Sequence, residues 1–505
     1  MSVIVQTRAG GVRGVTEDGI SVFRGIPFAA PPVGPRRFQA PESAQPWDGV
    51  READVFGPPP PQSRMGLPPN AEPAGPIRHD PTDWLTLNVW TPDLGATNLP
   101  VLVWIYGGAY RFGSGGDYNG RPLAGSGVVI VTGNHRVGVE GYAQLDGAPA
   151  NRGLLDQMAI LRWVQAEIAA FGGDPSRVTI FGESSGAGAV AALSVMPSAV
   201  GLFAGAVAQS VPGTFFTTAL ARDISAELVA PLGLEPSAAA LADVEPDRLL
   251  AALRQLDARM PTIGRWGRIA HSSTPFSPLI DGTVLPVDPW RGLASGAGRD
   301  VPLMVGHNRD EWQLFHVMGG QLGKVTDEMA TATMEAFGPG PDAPARLRAA
   351  YAGASPEELS VIVLSDRLFR VPSQRLAAAQ TAGGGRAYLY ELTWPSPAAD
   401  GVLRACHGLD VPLVFGALTD GLAEFLVGSP PDPGAIEISA QMRGAWVAFA
   451  RDGDPGWPTY DERQRLTRIF DRDPNGGVRA YPEEVSRELW AAYEIEVADL
   501  PSTKD

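Results

Sequence analysis

The sequence predicts an α/β fold: a large, mostly parallel central sheet flanked by helices, with further helices inserted over the sheet's carboxyl edge. Three observations carry this. Short β-branched runs alternate with helically periodic segments, the pattern of strands joined by crossover helices. A G-x-S-x-G motif lies between an apolar run and a small-residue helix start. A chain of 505 residues, 44% of them hydrophobic, can also bury a large core.

The opening runs "VIVQT", "GVRGV" and "ISVFRGI" are short, glycine-punctuated β segments, and the prolines of "PFAAPPVGPRRFQAP" end them because proline cannot donate to a ladder. A small β unit closed by a fixed loop is expected there. Residues 57–76 hold too many prolines and glycines for helix or strand and read as a long surface loop, of the kind that often borders a binding site. "PVLVWIY" (100–106) and "GVVIVTGN" (127–134) read as buried strands. In residues 153–171, Leu154, Met158, Leu161, Trp163, Val164 and Ile168 recur near helical spacing, and Gly172-Gly173 ends the run. "VTIF" (178–181), "VPLMVG" (301–306) and "AYLYEL" (387–392) are further strands. Residues 212–300 and 313–385 are richer in helical patterns and are expected as insertions forming pocket walls or a lid, over the sheet edge where open α/β folds bind ligands.

A formal charge of −16 with no Lys/Arg cluster argues against a nucleic-acid partner. No apolar run reaches the roughly 18 residues that span a bilayer, and "MSVIVQTRAGGVRG" has no basic region leading into an apolar one. The expectation is a soluble, cytoplasmic protein. A single cysteine, Cys406, excludes an internal disulfide and a thiolate metal cluster.

"GESSG" matches G-x-S-x-G once, with Ser184 central between Gly182 and Gly186. A sharp strand-to-helix turn strains that serine and lifts its hydroxyl to the sheet edge, so the glycines two before and two after avoid steric clash. A serine hydroxyl becomes nucleophilic when an imidazole takes its proton and a carboxylate orients the imidazole. Of six histidines, His79, His135 and His271 read as polar surface or capping groups, while His307 and His316 flank a candidate acid. His407, in "ACHGLDVPLVFG", follows the last predicted core strand and fits the order nucleophile, acid, base. Asp310 and Glu311 both follow "LMVG" and both can supply the acid; Asp410 reads as a local cap or turn residue. Cys406 beside His407 lacks the elbow a cysteine nucleophile would need.

Over nearly its whole length the chain resembles the bacterial type-B carboxylesterases, of the para-nitrobenzyl-esterase-like kind, in the family that also includes cholinesterases. The resemblance is carried by "FRGIPFAAPPVGPRRF", "TDWLTLNVWTP", "VLVWIYGGAY", residues 151–188 through "FGESSGAG", "LFAGAVAQS", "FSPLIDGTVLP", "VGHNRDE", "CHGLDVPLVFG" and "WVAFARDGDPGWP". It implies one α/β-hydrolase domain across residues 1–505 and a serine esterase that needs no cofactor or metal. The implied triad is Ser184, Glu311 and His407, with Glu311 preferred to Asp310 on the resemblance alone. The implied oxyanion hole is the backbone N–H groups of Gly108, Ala109 and Ser185. Ser210 matches a serine that relatives place near the catalytic histidine.

Several positions depart from the family pattern. Ser185 stands where relatives often have alanine, Trp312 where glycine is usual, and Trp84 where secreted relatives place cysteine. The 57–76 loop offers no counterpart of the tryptophan with which cholinesterases hold a quaternary ammonium. Candidate pocket residues are Tyr110, Ser210, Phe215, Phe216, Trp266, Phe276, Trp312, Phe315 and Phe369. The Gly-Gly-Ala form of the oxyanion motif resembles that of esterases that accept bulky, even tertiary, alcohols. The partner is expected to be a small-molecule ester, handled by a monomer or small homo-oligomer, with activity rising as His407 loses its proton near about 6.5, moved by its neighbours. Two further readings remain at this stage: an amidase or carbamate hydrolase with the same triad, and a non-catalytic binding member of the fold.

Overall fold

The computed structural model describes residues 1–62, 77, 81–272, 274–472 and 477–501. In chain order the strands are β1 (Ser2–Gln6), β2 (Gly11–Glu17), β3 (Ile20–Pro27), β4 (Val50–Glu52), β5 (Thr86–Thr91), β6 (Leu99–Ile105), β7 (Val129–Gly133) and β8 (Gly173–Glu183). They continue with β9 (Gly205–Gln209), β10 (Phe216–Thr217), β11 (Leu279–Ile280), β12 (Leu303–Asn308), β13 (Ala387–Leu392), β14 (Leu466–Phe470) and β15 (Val478–Ala480). Thirteen of them form one sheet in the order β1-β2-β3-β5-β7-β6-β8-β9-β12-β13-β14-β15, with β4 beside β2. The stretch from β7 to β14 is parallel throughout. The amino-terminal strands β1, β2, β3 and β5 are joined to it by antiparallel pairing. β10 and β11 make a separate two-stranded parallel ladder.

The central strands are covered on both faces, which is why they read as continuous apolar runs rather than as alternating ones. Every residue of β7, β9, β12 and β13 is buried. Side chains of β6 divide between the two faces as the pleat requires: Val101, Val103 and Ile105 enter one apolar cluster, and Leu102 and Trp104 enter the other. The first cluster is closed by helices Arg152–Glu167, Ser185–Leu193 and Val371–Ala382, the second by helix Pro433–Asp452. Helix Val371–Ala382 is the crossover between the parallel neighbours β12 and β13 and packs on both, so the 313–385 stretch ends on the sheet itself. Helices Thr218–Val229 and Pro246–Arg259, within the 212–300 stretch, organise a third cluster of their own.

One correction follows. β14 is parallel to β13, so His407 lies between two core strands and not beyond the last of them. Its short, mixed run "LTRIF" carries little apolar signal. Of the 57–76 loop, residues 63–76 lie outside the described residues; at its start the Gln62 side chain pairs with the Gly113 backbone in both directions, at 3.0 and 2.8 Å.

Candidate active site

Five adjacent parallel strands, β6, β8, β9, β12 and β13, deliver one element each at their carboxyl ends, the edge where this class of sheet gathers functional groups. β8 ends at Glu183, and Ser184 follows with φ 56° and ψ −126°, a strained conformation for a non-glycine residue. Helix Ser185–Leu193 starts at once. The Ser184 N–H donates to the Gln209 carbonyl of the next strand at 2.9 Å, which pins the turn. A Cβ on Gly186 would lie 2.0 Å from the Ile105 carbonyl oxygen, and one on Gly182 would lie 2.7 Å from the same atom. Both glycines are therefore required by backbone contact with β6. Ser184 is half-buried among buried neighbours, as are Gly108 and Ala109 across from it.

His407 stands in the loop after β13, buried, with Nδ1 2.6 Å from Glu311 Oε2. The other Glu311 oxygen accepts from Ser210 Oγ at 2.5 Å and from the Asn308 N–H at 2.8 Å, so three donors converge on one fully buried carboxylate. Asp310 turns elsewhere: it accepts from Arg309 and from the Ala405 N–H, and makes no bond to the imidazole. Of the two carboxyls that follow β12, Glu311 is the one in contact with the imidazole. No hydrogen bond of Ser184 Oγ occurs among the described residues; instead His407 Nε2 is 3.1 Å from Oε1 of Glu183, the residue preceding the serine.

That glutamate was not singled out by the motif, in which its position is free. Burial pushes the Glu183 carboxyl up to about 8, opposed by the positive imidazole of His407. Burial alone would lower His407, but the Glu183 and Glu311 carboxylates outweigh it and raise the imidazole to about 9. Asp410 is also corrected. It opens helix Asp410–Phe415, but its fully buried carboxyl, pushed up by burial, accepts from Gln209 at 2.8 Å, Tyr390 at 3.1 Å and Asn308 at 3.3 Å. It ties the histidine loop to β9, β12 and β13.

Opposite the elbow, the turn after β6 brings Gly107 so close that a Cβ there would lie 3.1 Å from Ser184 Cβ. Ala109 and Tyr110 both adopt positive φ, 55° and 59°. Among the described residues, no hydrogen bond consumes the N–H groups of Gly108, Ala109 or Ser185. Donors of this kind, left free beside a nucleophile, can receive a developing oxyanion.

Phe369 and Phe315 pack against His407, with ring centroids 4.4 and 5.2 Å away, and Trp312 leans on Phe315 at 4.5 Å. Ser210 reaches the site through Glu311. Tyr110, Phe216, Trp266 and Phe276 lie buried in the third apolar cluster, and the Trp266 indole donates to Asp223. Phe215 packs edge-on against Trp290. Cys406 is fully buried and burial raises its thiol well above the ordinary value, the opposite of an activated nucleophile. His135 is buried and stacked on Tyr106 at 4.0 Å, not on the surface as its loop context suggested. His307 and His316 are buried, His271 is exposed, and His79 lies outside the described residues. No cluster of three or more metal-ligating side chains occurs among the described residues. A cavity of about 470 Å³ bordered by Trp290, Arg291, Val371, Arg375, Tyr481 and Trp490 shares no lining residue with these groups.

A model of the carboxylesterase family matches residues 1–475. The chain belongs to the carboxylesterase family. The para-nitrobenzyl esterase of Bacillus subtilis is 36% identical over 491 residues, covering 93% of this chain and 95% of that protein. Phenmedipham hydrolase of Pseudarthrobacter oxydans is 34% identical over 484 residues, covering 90% and 92%. Among solved structures, a Geobacillus stearothermophilus carboxylesterase superposes with a TM-score of 0.81 at 33% identity, covering 96% of this chain and 99% of that one. A para-nitrobenzyl esterase structure superposes with the same TM-score at 34% identity and the same coverage. This carboxylesterase therefore has the α/β-hydrolase fold and is a carboxylic ester hydrolase of the serine type.

Proposed function

We propose that Ser184 is the residue acylated by the ester, that His407 is its general base and acid, and that Glu311 orients His407. In this reading the N–H groups of Gly108, Ala109 and Ser185 receive the oxyanion. The observation that carries it is the Glu311–His407 contact of 2.6 Å beside the strained elbow of Ser184, with Nε2 directed at the elbow. The chemistry runs in two halves. Ser184 Oγ adds to the ester carbonyl carbon as its proton passes to His407 Nε2, and the carbonyl oxygen takes the negative charge at the three N–H groups. As the carbonyl re-forms, the alcohol leaves with the proton from His407. Water then repeats the sequence on the acyl-enzyme and releases the acid. Glu311 keeps Nδ1 protonated and compensates the imidazolium in each half.

Among the candidate pocket residues, Phe315 and Phe369 border the imidazole and Trp312 packs on Phe315, a set that suits an apolar substituent of a small-molecule ester. A cytoplasmic location is part of the same proposal, supported by the single, buried, free cysteine: the fold asks for no disulfide. No helix among the described residues is long and apolar enough to cross a membrane.

Hydrolysis of a p-nitrophenyl ester series by wild type, Ser184→Ala and Ser185→Ala tests the assignment. Ser184→Ala is expected to lose at least about a thousandfold in turnover. Ser185→Ala keeps its N–H and is expected to stay within about threefold. Full turnover by Ser184→Ala would remove the nucleophile from the proposal.

A further inference from the structure

The oxyanion turn holds two consecutive non-glycine residues, Ala109 and Tyr110, in the left-handed region. Each such residue costs on the order of 1 to 3 kcal/mol, so the turn persists only where its surroundings hold it. Three carbonyls show how it is held. Gly108 C=O accepts from the N–H groups of Arg111 at 2.9 Å and Phe112 at 3.2 Å. In a trans peptide this turns the Ala109 N–H the opposite way, out of the turn. Tyr110 C=O accepts from the Gly138 N–H at 2.7 Å. Between them, the Ala109 C=O accepts from a side chain far away in sequence: Thr274 Oγ1, at 2.9 Å.

We infer that Thr274 is a positioning residue for the oxyanion donors, its hydroxyl fixing the Ala109–Tyr110 peptide and so the orientation of the Ala109 N–H. The inference rests on the proposed role of Gly108, Ala109 and Ser185. Among the described residues Thr274 is the only donor to the Ala109 carbonyl. Without it, rotation of that peptide, through ψ of Ala109 and φ of Tyr110, would relieve the positive φ of Tyr110, and the turn that presents the Ala109 N–H would lose one of the three carbonyl ties that fix its shape.

Thr274 is itself aimed. Its Oγ1 accepts from the Phe276 N–H at 3.1 Å, and of the two carbonyls within reach of its hydroxyl proton, Ala109 at 2.9 Å is nearer than Phe276 at 3.4 Å. Its own carbonyl accepts from Ser272 Oγ at 2.8 Å, and Phe276 is buried in the same apolar cluster as Tyr110. A second tie runs in parallel, from the Arg111 guanidinium to Asp257 Oδ2 at 2.5 Å. Both ties reach the turn from the 212–300 stretch, which therefore acts on the chemistry without supplying a reacting group.

The test compares Thr274→Val, which keeps the shape and removes the donor, with Thr274→Ser, which restores it. Each is assayed for kcat and KM on a p-nitrophenyl ester and for inhibition by an alkyl trifluoromethyl ketone. Ser184 Oγ adds to that ketone's carbonyl carbon, the serine proton passes to His407, and the ketone oxygen becomes the bound oxyanion. Thr274→Val is expected to lose about tenfold in kcat with KM within about twofold, and to weaken the ketone by a similar factor. Thr274→Ser is expected within about twofold of wild type. Unchanged kcat and ketone affinity in Thr274→Val overturn the inference, as does a serine variant no better than the valine one. Should Thr274→Val fail to fold, Thr274→Ala carries the same comparison with Thr274→Ser. Ser184→Ala in the same assay separates the two levels. If it retains turnover, the site assignment fails; if it is inactive while Thr274→Val is normal, only the role of Thr274 fails.

Discussion

Replacing Glu183 by Gln should move the pH–rate profile to lower pH. The carboxylate oxygen lies 3.1 Å from His407 Nε2, and the imidazole, though burial disfavours its charge, is raised to about 9 by Glu183 and Glu311 together. A base works only when unprotonated, so kcat/KM should rise with pH, with its midpoint displaced above the ordinary histidine value. Glu183 is itself raised to about 8, so the two groups hold protons as a pair and the profile reports the pair. Glutamine retains the shape and removes the charge. An opposite charge at this range is worth roughly 1 to 3 pH units. Taking about two units, the fraction of neutral imidazole at pH 7 rises from about 1% to about one half. The assay is kcat/KM across about pH 5 to 10 with an ester whose chromophore reports at every pH, in wild type and Glu183→Gln. A variant midpoint equal to or above that of wild type would refute the electrostatic reasoning.

Two further predictions concern stability. The Arg136–Asp156 pair is fully buried, with three bonds from Arg136 to the carboxylate at 2.7 to 2.8 Å, so Asp156→Asn should destabilise by about 3 to 5 kcal/mol in urea unfolding. A loss under about 1 kcal/mol would show the arginine finding other partners. The Glu391 carboxyl is fully buried, no hydrogen bond to its oxygens occurs by geometry among the described residues, and burial, with the nearby Glu483 carboxyl, raises it well above the ordinary value. A group raised on folding contributes stability that is complete below its unfolded value and is lost as pH rises through the folded one. Glu391→Gln should therefore flatten the decline of urea midpoint with rising pH, and an identical decline in both proteins would sink the assignment.

What the sequence made legible was whatever is encoded over a short span. The parallel core was readable because strands buried on both faces are continuous apolar runs, and Ser184 because its turn writes glycines at fixed offsets on either side. Glu311 was separable from Asp310 only by resemblance, since both follow the same strand; in space one meets His407 and the other meets Arg309. Glu183, Asp410 and Thr274 were not legible for a common physical reason: each acts across elements that are remote in the chain. Thr274 meets Ala109 across 165 residues and Asp410 meets Gln209 across 201, with no local pattern to mark either partner.

The glycines show where the boundary between legible and hidden falls. A clash argument from the motif alone requires small residues at Gly182 and Gly186, and it is correct about the requirement. The atom that enforces it is the Ile105 carbonyl oxygen, on a different strand, and that strand's next residues form the turn bearing Gly108 and Ala109. Close approach of β8 to β6 therefore does two things at once: it forbids side chains at Gly182 and Gly186, and it sets the turn after β6 against Ser184, where a Cβ on Gly107 would lie 3.1 Å from Ser184 Cβ. Gly186→Ala would disturb both, because a methyl group at 2.0 Å from a carbonyl oxygen can be accommodated only by moving a backbone. Loss of turnover should then accompany loss of ketone affinity in that variant, whereas Thr274→Val, which leaves this contact intact, should lose the oxyanion alignment and keep the elbow.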